Sequence, residues 1–597
     1  MIVPMKKAVL VVQAKDAVLT LEELRGLGLL HIEHQQPPQG RDIQALLEDI
    51  SVIKDAVGIL SEIKSRDNLP GDPELELSDW RFAARHIIDL RKRLNQLEDY
   101  SLTLKSIIGQ WQAWGDFDPQ MIKGLAQRNI YIRLYRIPVK ELKNLPSRVI
   151  LKKILVAAGI ANCAIISKEK VDIPFSETAL PKSNPEKMRH RFSEDMKERE
   201  LLKKDILKYI PVQKKFISVR KSLENELVFQ KALAGMGQTG SLVYFAGYIP
   251  ADTLQPLLEA AKKGNWAIAI NDPGPEDNVP TLIRNPGWVS LISPVFKMLE
   301  VVPGYQELDI SLWFLIFFSI FFGILIGDAG YGTIYFILTL LAQRKFGKKL
   351  PDGSMFILFY ILSACAIIWG VLTATYFGQE WLPQSLRPLI PALRSNKNMQ
   401  AFCFFIGALH LSIAHFWKAM LKFPSLRMLA DIGWVIILWG SFFLARGLVL
   451  GDVFPGFGKG FFIAGALLVI CFTSPDRNFL KGIANGLGIF LLNVVNTFTD
   501  VVSYIRLFAV GLATVAVADA FNKMAIGLGW GSVTAGFLAS LALFAGHTLN
   551  IILGPLAILV HGVRLNVLEF CGHADIKWSG FSYKPLQKEP GVINRLP

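Results

Sequence analysis

Cysteine is scarce and scattered: Cys163, Cys365, Cys403, Cys471 and Cys571 in 597 residues. No two stand at CxxC or metal-ligand spacing, so the pattern implies neither a disulfide framework nor a zinc site. A phosphate-binding loop is lacking too. Gly235-Met236-Gly237-Gln238-Thr239-Gly240-Ser241 has the glycines without the lysine, leads from a helix into a strand, and reads as a turn. The net charge of +14 comes without a basic stripe interleaved with aromatics, so nucleic acid is not an expected partner. After Lys6-Lys7 the apolar run is too brief for a signal peptide, and the N-terminal half is expected to stay in the cytosol. Charge itself is missing from long windows of the second half, Gly353 to Gln379 and Met524 to Val563 being the clearest. Windows of that length are membrane spans, and the excess of basic residues suits a face that meets anionic lipid.

From Met1 to about Val301, by contrast, charges are dense and apolar residues periodic. Lys7 to Val12 reads as a buried strand, Leu19 to Leu27 as a short helix and Gly28 to Ile32 as a second strand. Ile43, Leu46, Ile50, Ile53, Val57 and Leu60 then recur at three and four residues, the spacing of a heptad seam, which resumes from Ala83 to Leu104 after a loop at Asp67 to Pro73. Asn129 to Tyr135 and Ala164 to Ile166 are strand candidates, with a helix pattern at Lys152 to Ala158 between them. A long amphipathic helix is expected from about Glu186 to Leu233, kinked at Pro211. Ser241 to Ala246 and Trp266 to Ile270 are strands again. The fold class expected is an α+β cytosolic dumbbell, two small α/β lobes joined by antiparallel coiled-coil helices, followed by an all-α membrane domain of eight transmembrane helices. The domain limits are residues 1–300 for the arm (proximal lobe 1–36 plus 236–280, coiled coil 39–110 and 184–235, distal lobe 120–180) and 301–597 for the membrane part. Such an arm suits a strut better than a catalyst.

In the membrane half, Ile310 to Leu341 is too long for one span and is broken by Gly327-Asp328-Ala329-Gly330-Tyr331-Gly332 into two. Asp328 there reads equally as a helix cap and as a functional acid. Further spans are expected at Met355–Phe377, Met399–Leu421, Ile432–Leu450, Gly460–Thr473, Ala484 to about Lys523, and Val533 to about Glu569, with both termini on one side. Loops on that side hold Arg344, Lys345, Lys348, Lys349, Lys418, Lys422, Arg427, Arg477 and Lys481; those opposite hold Arg387, Arg394, Lys397, Arg446, Lys459 and Lys523. The bias is modest and favours cytosolic termini.

Two spans carry polar stripes. On a helix at about 100° per residue, Asn496, Thr499, Ser503, Arg506, Val510 and Ala513 share one third of the circumference, as do His547, Asn550, Gly554, Ala557, His561 and Arg564. A guanidinium at bilayer depth costs ~3 kcal/mol or more and is kept where it meets water, a counter-charge or a partner. Arginines snorkelling to the interface, with glycines and alanines for helix packing, are the bland alternative. A stripe on each of two spans favours a pair of aqueous pockets separated by fixed positive charge, which moves a cation in steps and prevents a straight leak. Gly511, Ala513 and Ala516 would let a neighbouring helix pass closely.

Three segments carry a resemblance: Phe322 to Gly332, Ser503-Tyr504-Ile505-Arg506-Leu507-Phe508-Ala509, and His561-Gly562-Val563-Arg564-Leu565-Asn566-Val567-Leu568-Glu569-Phe570. They resemble the signature segments of the V-type (V/A-type) rotary ATPase subunit a, called subunit I in bacteria and archaea, and Pro303 to Asp309 looks like that family's entry to the first span. The likeness covers essentially the whole chain and, in length, is to prokaryotic members. It implies a non-catalytic membrane stator subunit without cofactor or metal, in the cell (inner) membrane with both termini cytoplasmic. It implies three kinds of protein partner: a rotating proteolipid c/K ring, peripheral stalk subunits of E/G type and a central-stalk socket subunit of d/C type. By resemblance Arg506 meets each ring carboxylate and Arg564 is its second partner; Glu569, His561, His547, Ser503, Asn496, Thr499 and Asp500 would serve the half-channels for H⁺ or Na⁺. Some members have a glutamate ten residues before the second arginine, where this chain has Gly554. A secondary transporter or channel with a coiled-coil regulatory arm is the other reading. Such transporters often pair broken helices in two repeats, and the break near Gly327 has no counterpart in the second half.

Overall fold

The computed structural model describes residues 1–63, 79–146, 148–157, 159–348, 353–378, 388–473 and 479–588. The loop expected at Asp67 to Pro73 and the loop charges Lys349, Arg387 and Arg477 lie outside the described residues. In chain order the strands are β1 (Met5–Gln13), β2 (His31–Glu33), β3 (Tyr131–Pro138), β4 (Ile150–Ala157), β5 (Ile160–Ser167), β6 (Glu177–Thr178), β7 (Gly237–Thr239), β8 (Leu242–Pro250) and β9 (Ala267–Asn271). One sheet runs β2-β8-β1-β9 with β7 against β8, the other β4-β5-β3-β6. The chain divides into two compact units: Met1–Ala8, Gly247–Ala260 and Ile268–Pro585 form one, and Val9–Ala246, Ala261–Ala267 and Leu586–Pro597 the other.

The second unit is a mixed α/β region. Its early helices are α1 (Ala17–Leu27), α2 (Arg41–Glu62), α3 (Trp80–Gln112) and α4 (Pro119–Gln127), followed by α5 (Pro185–Leu207) and α6 (Gln213–Ala234). The apolar seams bury one another: Ile53, Val57 and Leu60 of α2, Ile87 and Leu90 of α3, Ile206 of α5 and Phe216 and Leu223 of α6 form a single cluster. Polar ties flank it, Arg81 to Asp49 at 2.7 Å and Arg199 to Glu98 at 2.8 Å. The single kinked helix expected from Glu186 to Leu233 is instead two. Pro211 has no N–H and its ring blocks the preceding turn, so α5 ends at Leu207 and α6 starts afresh at Gln213. The helix expected at Lys152 to Ala158 is strand β4, antiparallel to β5 from Ile150↔Ile166 to Ala157↔Ile160. The register slips between Lys153 and Leu155. A bulge of this kind breaks the two-residue alternation, which is why the apolar spacing imitates a helix. Gly237 to Ser241 forms a hairpin with β8, closed by Thr239↔Leu242 around Gly240 at φ +62°, and so is the turn expected of it.

The first unit contains α7 (Leu254–Lys263), most of it within that unit, and the helices of the apolar half: α8 (Ser293–Leu299), α9 (Ser311–Ile326), α10 (Ala329–Phe346), α11 (Ser354–Thr373), α12 (Asn396–Lys422), α13 (Met428–Leu450), α14 (Gly456–Phe472), α15 (Phe479–Ser503), α16 (Ile505–Leu528) and α17 (Val533–Ala557). Among the described residues, five stretches are long and apolar enough to cross a membrane: Ser354–Thr373, Asn396–Lys422, Met428–Leu450, Leu480–Leu528 and Val533–His573. Ser311–Ile326 and Gly456–Phe472 are shorter apolar helices. Many of the basic residues read as loop charges sit in helical turns: Arg344 and Lys345 in α10, Lys418 and Lys422 in α12, Arg446 in α13, Lys459 in α14, Lys481 in α15 and Lys523 in α16. A helix can run on past its apolar stretch, because long basic side chains carry their charge away from the backbone.

The short helix α9 sits at the centre of this half, with Phe314, Phe317, Phe318, Phe321 and Phe322 all buried. Small residues bring its neighbours close. A Cβ on Gly370 of α11 would stand 2.0 Å from the backbone nitrogen of Ala329, and one on Gly332 of α10 would stand 2.8 Å from that of Ile367. Backbone cannot retreat as a flexible side chain can, so even a methyl must push two helices apart. Gly370→Ala is therefore expected to lower the melting temperature of the purified chain markedly, whereas alanine at Gly353, which has open space around it, leaves it nearly unchanged.

Candidate functional site: a carboxylate shared by two arginines

The chain turns at Tyr504, between α15 and α16, where its N–H reaches back to Val501 O at 3.4 Å. The buried Tyr504 ring fills the space beneath, against Phe321, with its hydroxyl 2.8 Å from His410 Nδ1. Arg506 is the second residue of α16, which starts at Ile505 immediately after this turn. On the facing strand of chain, α17 passes at Ala557 into π-helical turns, Ile558–Gly562 and Leu565–Phe570, with Arg564 between them. Pro555 lies inside the last turns of α17, where it removes a backbone donor and loosens the ladder. Each π turn holds an extra residue, so the face that begins at His547 does not continue straight to Arg564. Instead the wide turns swing Glu569 inward.

Glu569 is the centre of the site. Its Oε1 lies 3.0 Å from Arg506 Nη2, 3.7 Å from Arg564 Nε and 3.3 Å from Ser503 Oγ. The carboxylate side chain is 5% exposed, the Arg506 side chain 25% and that of Arg564 54%. Within this group, two buried atoms have no hydrogen-bond partner among the described residues, Arg506 Nη1 and Glu569 Oε2. A guanidinium has five donors, and one oxygen of one carboxylate leaves most of that capacity open.

The sequence-derived residues separate into groups. Ser503, Arg506, Arg564 and Glu569 come together. Asp500 is one turn below, its Oδ2 3.1 Å from His573 Nε2. Asn496 joins Asp500 in lining a cavity of about 510 Å³. Thr499 is exposed and bonds back to Val495 O at 2.9 Å, and His561 is half-buried in the first π turn. His547 belongs elsewhere, with Tyr331 Oη at 2.7 Å; Asn550 donates to the same hydroxyl at 3.1 Å and to Thr514 O at 2.8 Å. Gly554 packs against the Tyr335 hydroxyl, which occupies the space a longer side chain would need.

Asp328 acts as a cap. One oxygen accepts from Gly330 N at 2.7 Å and Tyr331 N at 3.1 Å, starting α10, and the other accepts from Gly378 N at 3.0 Å. Gly327 before it ends α9 at φ +67°. Gly330 lies under the Phe377 ring and Gly332 against α11. With three backbone donors and no exposure, Asp328→Ala is expected to cost ~2–3 kcal/mol, measured as a lowered melting temperature, and Asp328→Asn about half of that, since the amide oxygen still caps.

Sequence reading missed His415, Asp431 and His573. His415 is 2.8 Å from His573 Nδ1 through its Nε2, and His415 Nδ1 is 3.7 Å from Asp431 Oδ1. Nothing in their spacing links helix α12, helix α13 and the segment after the π turns; the one signal was a buried-type histidine and aspartate inside apolar helices.

These features describe a chain whose long apolar helices carry two arginines that share one buried carboxylate, and the relatives specify its class. No family model matches the chain. Two curated proteins align along nearly all of it. V-type ATP synthase subunit I 1 of Treponema pallidum is 31% identical over 640 residues, covering 98% of this chain and all of that one. V-type ATP synthase subunit I of Borreliella burgdorferi is 31% identical over 621 residues with the same coverage. The A-type ATP synthase subunit I of Methanocaldococcus jannaschii is 27% identical over 407 residues, 60% of this chain and 57% of its own. A crystal structure of the cytoplasmic N-terminal domain of subunit I, a homologue of subunit a of V-ATPase, overlaps 45% of this chain at 14% identity, with a TM-score of only 0.23. The chain belongs to the V-type ATP synthase subunit I family, and it is a membrane subunit of a rotary ATPase, not its catalytic subunit.

Proposed function

We propose that this subunit is the membrane stator of its ATPase, forming two cation half-channels against a rotating proteolipid ring. The observation that supports this most is Glu569 shared between Arg506 and Arg564, with one Arg506 nitrogen unpartnered. In this reading a ring carboxylate arriving beside Arg506 is met by the exposed quarter of its side chain. The permanent positive charge favours its ionised form, so the ion it carries leaves there. The same charge prevents direct cation flow between the half-channels. Glu569 holds Arg506 in place while no ring carboxylate faces it.

Eight transmembrane segments, with α9 and α10 as the first two and the termini cytoplasmic, complete the assignment. Residues 301–597 are the membrane domain. Residues 1–300 are the stator arm, with lobes 1–36 plus 236–280 and 120–180 linked by coiled coil 39–110 and 184–235, and the arm engages peripheral stalk subunits and the central-stalk socket. Of the polar residues, Asp500, Ser503, Asn496 and Thr499 belong to one half-channel and His547 and His561 to the other. Arg564 stands at 3.7 Å from the shared carboxylate and is half exposed, a contact worth about 1 kcal/mol or less. ATP-driven cation uptake by vesicles holding the whole complex is therefore expected to fall only severalfold in Arg564→Ala. Undiminished uptake in both this variant and Arg506→Ala would contradict the proposal.

A further inference from the structure

The cavity beneath the arginines has a wall that the half-channel assignment leaves unexplained. It is built from α12, α13, α15 and the segment after the π turns. Three basic groups face it, Lys418, Lys422 and Arg427, and three carboxylates, Asp431, Asp500 and Asp575. They pair across it: Lys422 to Asp431 at 2.6 Å, Lys418 to Asp431 at 3.8 Å, and Lys418 to Asp575. Between Asp431 and Asp500 stand two imidazoles in direct contact, His415 Nε2 to His573 Nδ1 at 2.8 Å. Their outer nitrogens face the two acids, His415 Nδ1 at 3.7 Å from Asp431 and His573 Nε2 at 3.1 Å from Asp500. His415 is 6% exposed and His573 9%, and Trp434 stacks on the His415 ring.

We propose that Asp431, His415, His573 and Asp500 form a proton relay in this wall, and that the coupling ion is therefore H⁺ and not Na⁺. An N···N contact of 2.8 Å requires one ring to donate and the other to accept. An imidazole can take a proton on one nitrogen and release another from the opposite nitrogen. A proton arriving at His415 Nδ1 forms one N–H as the Nε2–H bond breaks toward His573 Nδ1. His573 in turn releases its Nε2 proton to Asp500 Oδ2. Each step makes one bond to hydrogen and breaks one, and nothing is oxidised. The pass leaves both rings in the opposite tautomer, and they are reset when, out of contact with each other, each takes a proton from cavity water at Nε2 and gives one up from Nδ1. A few tenths of an ångström of side-chain movement brings Asp431 within hydrogen-bond distance of His415. A sodium ion needs oxygen ligands, and the path through two nitrogens in hydrogen-bond contact offers it none, so this path passes protons alone. The three basic groups of the lining offset its acids and give a hard cation no net attraction.

This inference rests on the stator proposal, and the test separates the two. The whole complex is reconstituted in vesicles and supplied with ATP, with a pH-sensitive dye and radiosodium as the two reporters. The expected result is acidification in sodium-free buffer without radiosodium uptake. In His415→Gln and His573→Gln, acidification is expected to fall at least ~10-fold, with a displaced pH profile and the complex still assembled. Radiosodium accumulation, or assembled histidine variants that acidify at the parental rate with an unchanged pH profile, would overturn the relay and leave the stator proposal standing. A parent complex that hydrolyses ATP and moves neither ion would overturn both. If the glutamine variants fail to assemble, the ion moved by the parent still decides.

Discussion

Replacing Arg506 by alanine is expected to abolish ATP-driven cation uptake, by at least ~100-fold, while the complex still assembles. Arg506 lies in the first turn of α16 just after the Tyr504 turn, its side chain three-quarters buried, with Glu569 as its ion-pair partner at 3.0 Å. Alanine removes the fixed charge that favours an ionised ring carboxylate, so an arriving carboxylate would keep its ion. Removing the arginine also leaves Glu569 buried with Ser503 Oγ at 3.3 Å and the Arg564 Nε at 3.7 Å. That carboxylate can relax by taking up a proton, and the helix packing around it does not depend on the arginine. Transport should thus fail without loss of the fold. Arg506→Lys tests the geometry. A lysine keeps the charge but loses the planar fork, and uptake is expected to stay well below the parent.

Glu569→Ala is expected to damage stability where Arg506→Ala damages transport. Without the carboxylate, Arg506 loses its acceptor while Ser503 keeps its 2.7 Å bond to Asp500 O, and a guanidinium cannot discard its charge. Breaking a fully buried pair this way costs ~3–5 kcal/mol; the part-exposed Arg506 reduces this to ~2–3 kcal/mol. The check is the melting temperature of the detergent-purified complex, expected several degrees below the parent for Glu569→Ala. Glu569→Asp is expected to fall between them, because the shorter acid keeps the charge but not the reach to both arginines. Equal melting temperatures would mean that the shared carboxylate is not what positions Arg506.

Much of this site was legible in the residues themselves. An arginine amid apolar sequence is costly enough to announce itself, and Arg506, Arg564 and Glu569 were all named from sequence. Their meeting at one carboxylate was not. Reading Val533 to Glu569 as a regular helix places Arg564 on the His547 stripe, but Pro555 and the π turns shift the register after Ala557. The relay was beyond reach for a different reason. His415 and His573 are 158 residues apart, and only the packing of α12 against the chain end brings them together. In the charge-rich half, periodicity found the seams of α2 and α3, yet it misread β4, where a bulge mimics helical spacing. It also took α5 and α6 as one helix, because the apolar period persists across Pro211 while the backbone does not.

The central claim is that the Arg506 face of α16 meets the ring. Ala509, Ala513, Ala516 and Ala520 stand exposed on that face, at helical spacing above Arg506. A photo-crosslinking residue placed at Ala513 in the intact complex, and irradiated before and during ATP turnover, tests this most directly. The account predicts adducts with the proteolipid ring subunit. Adducts with lipid alone, or with a subunit outside the ring, would contradict it.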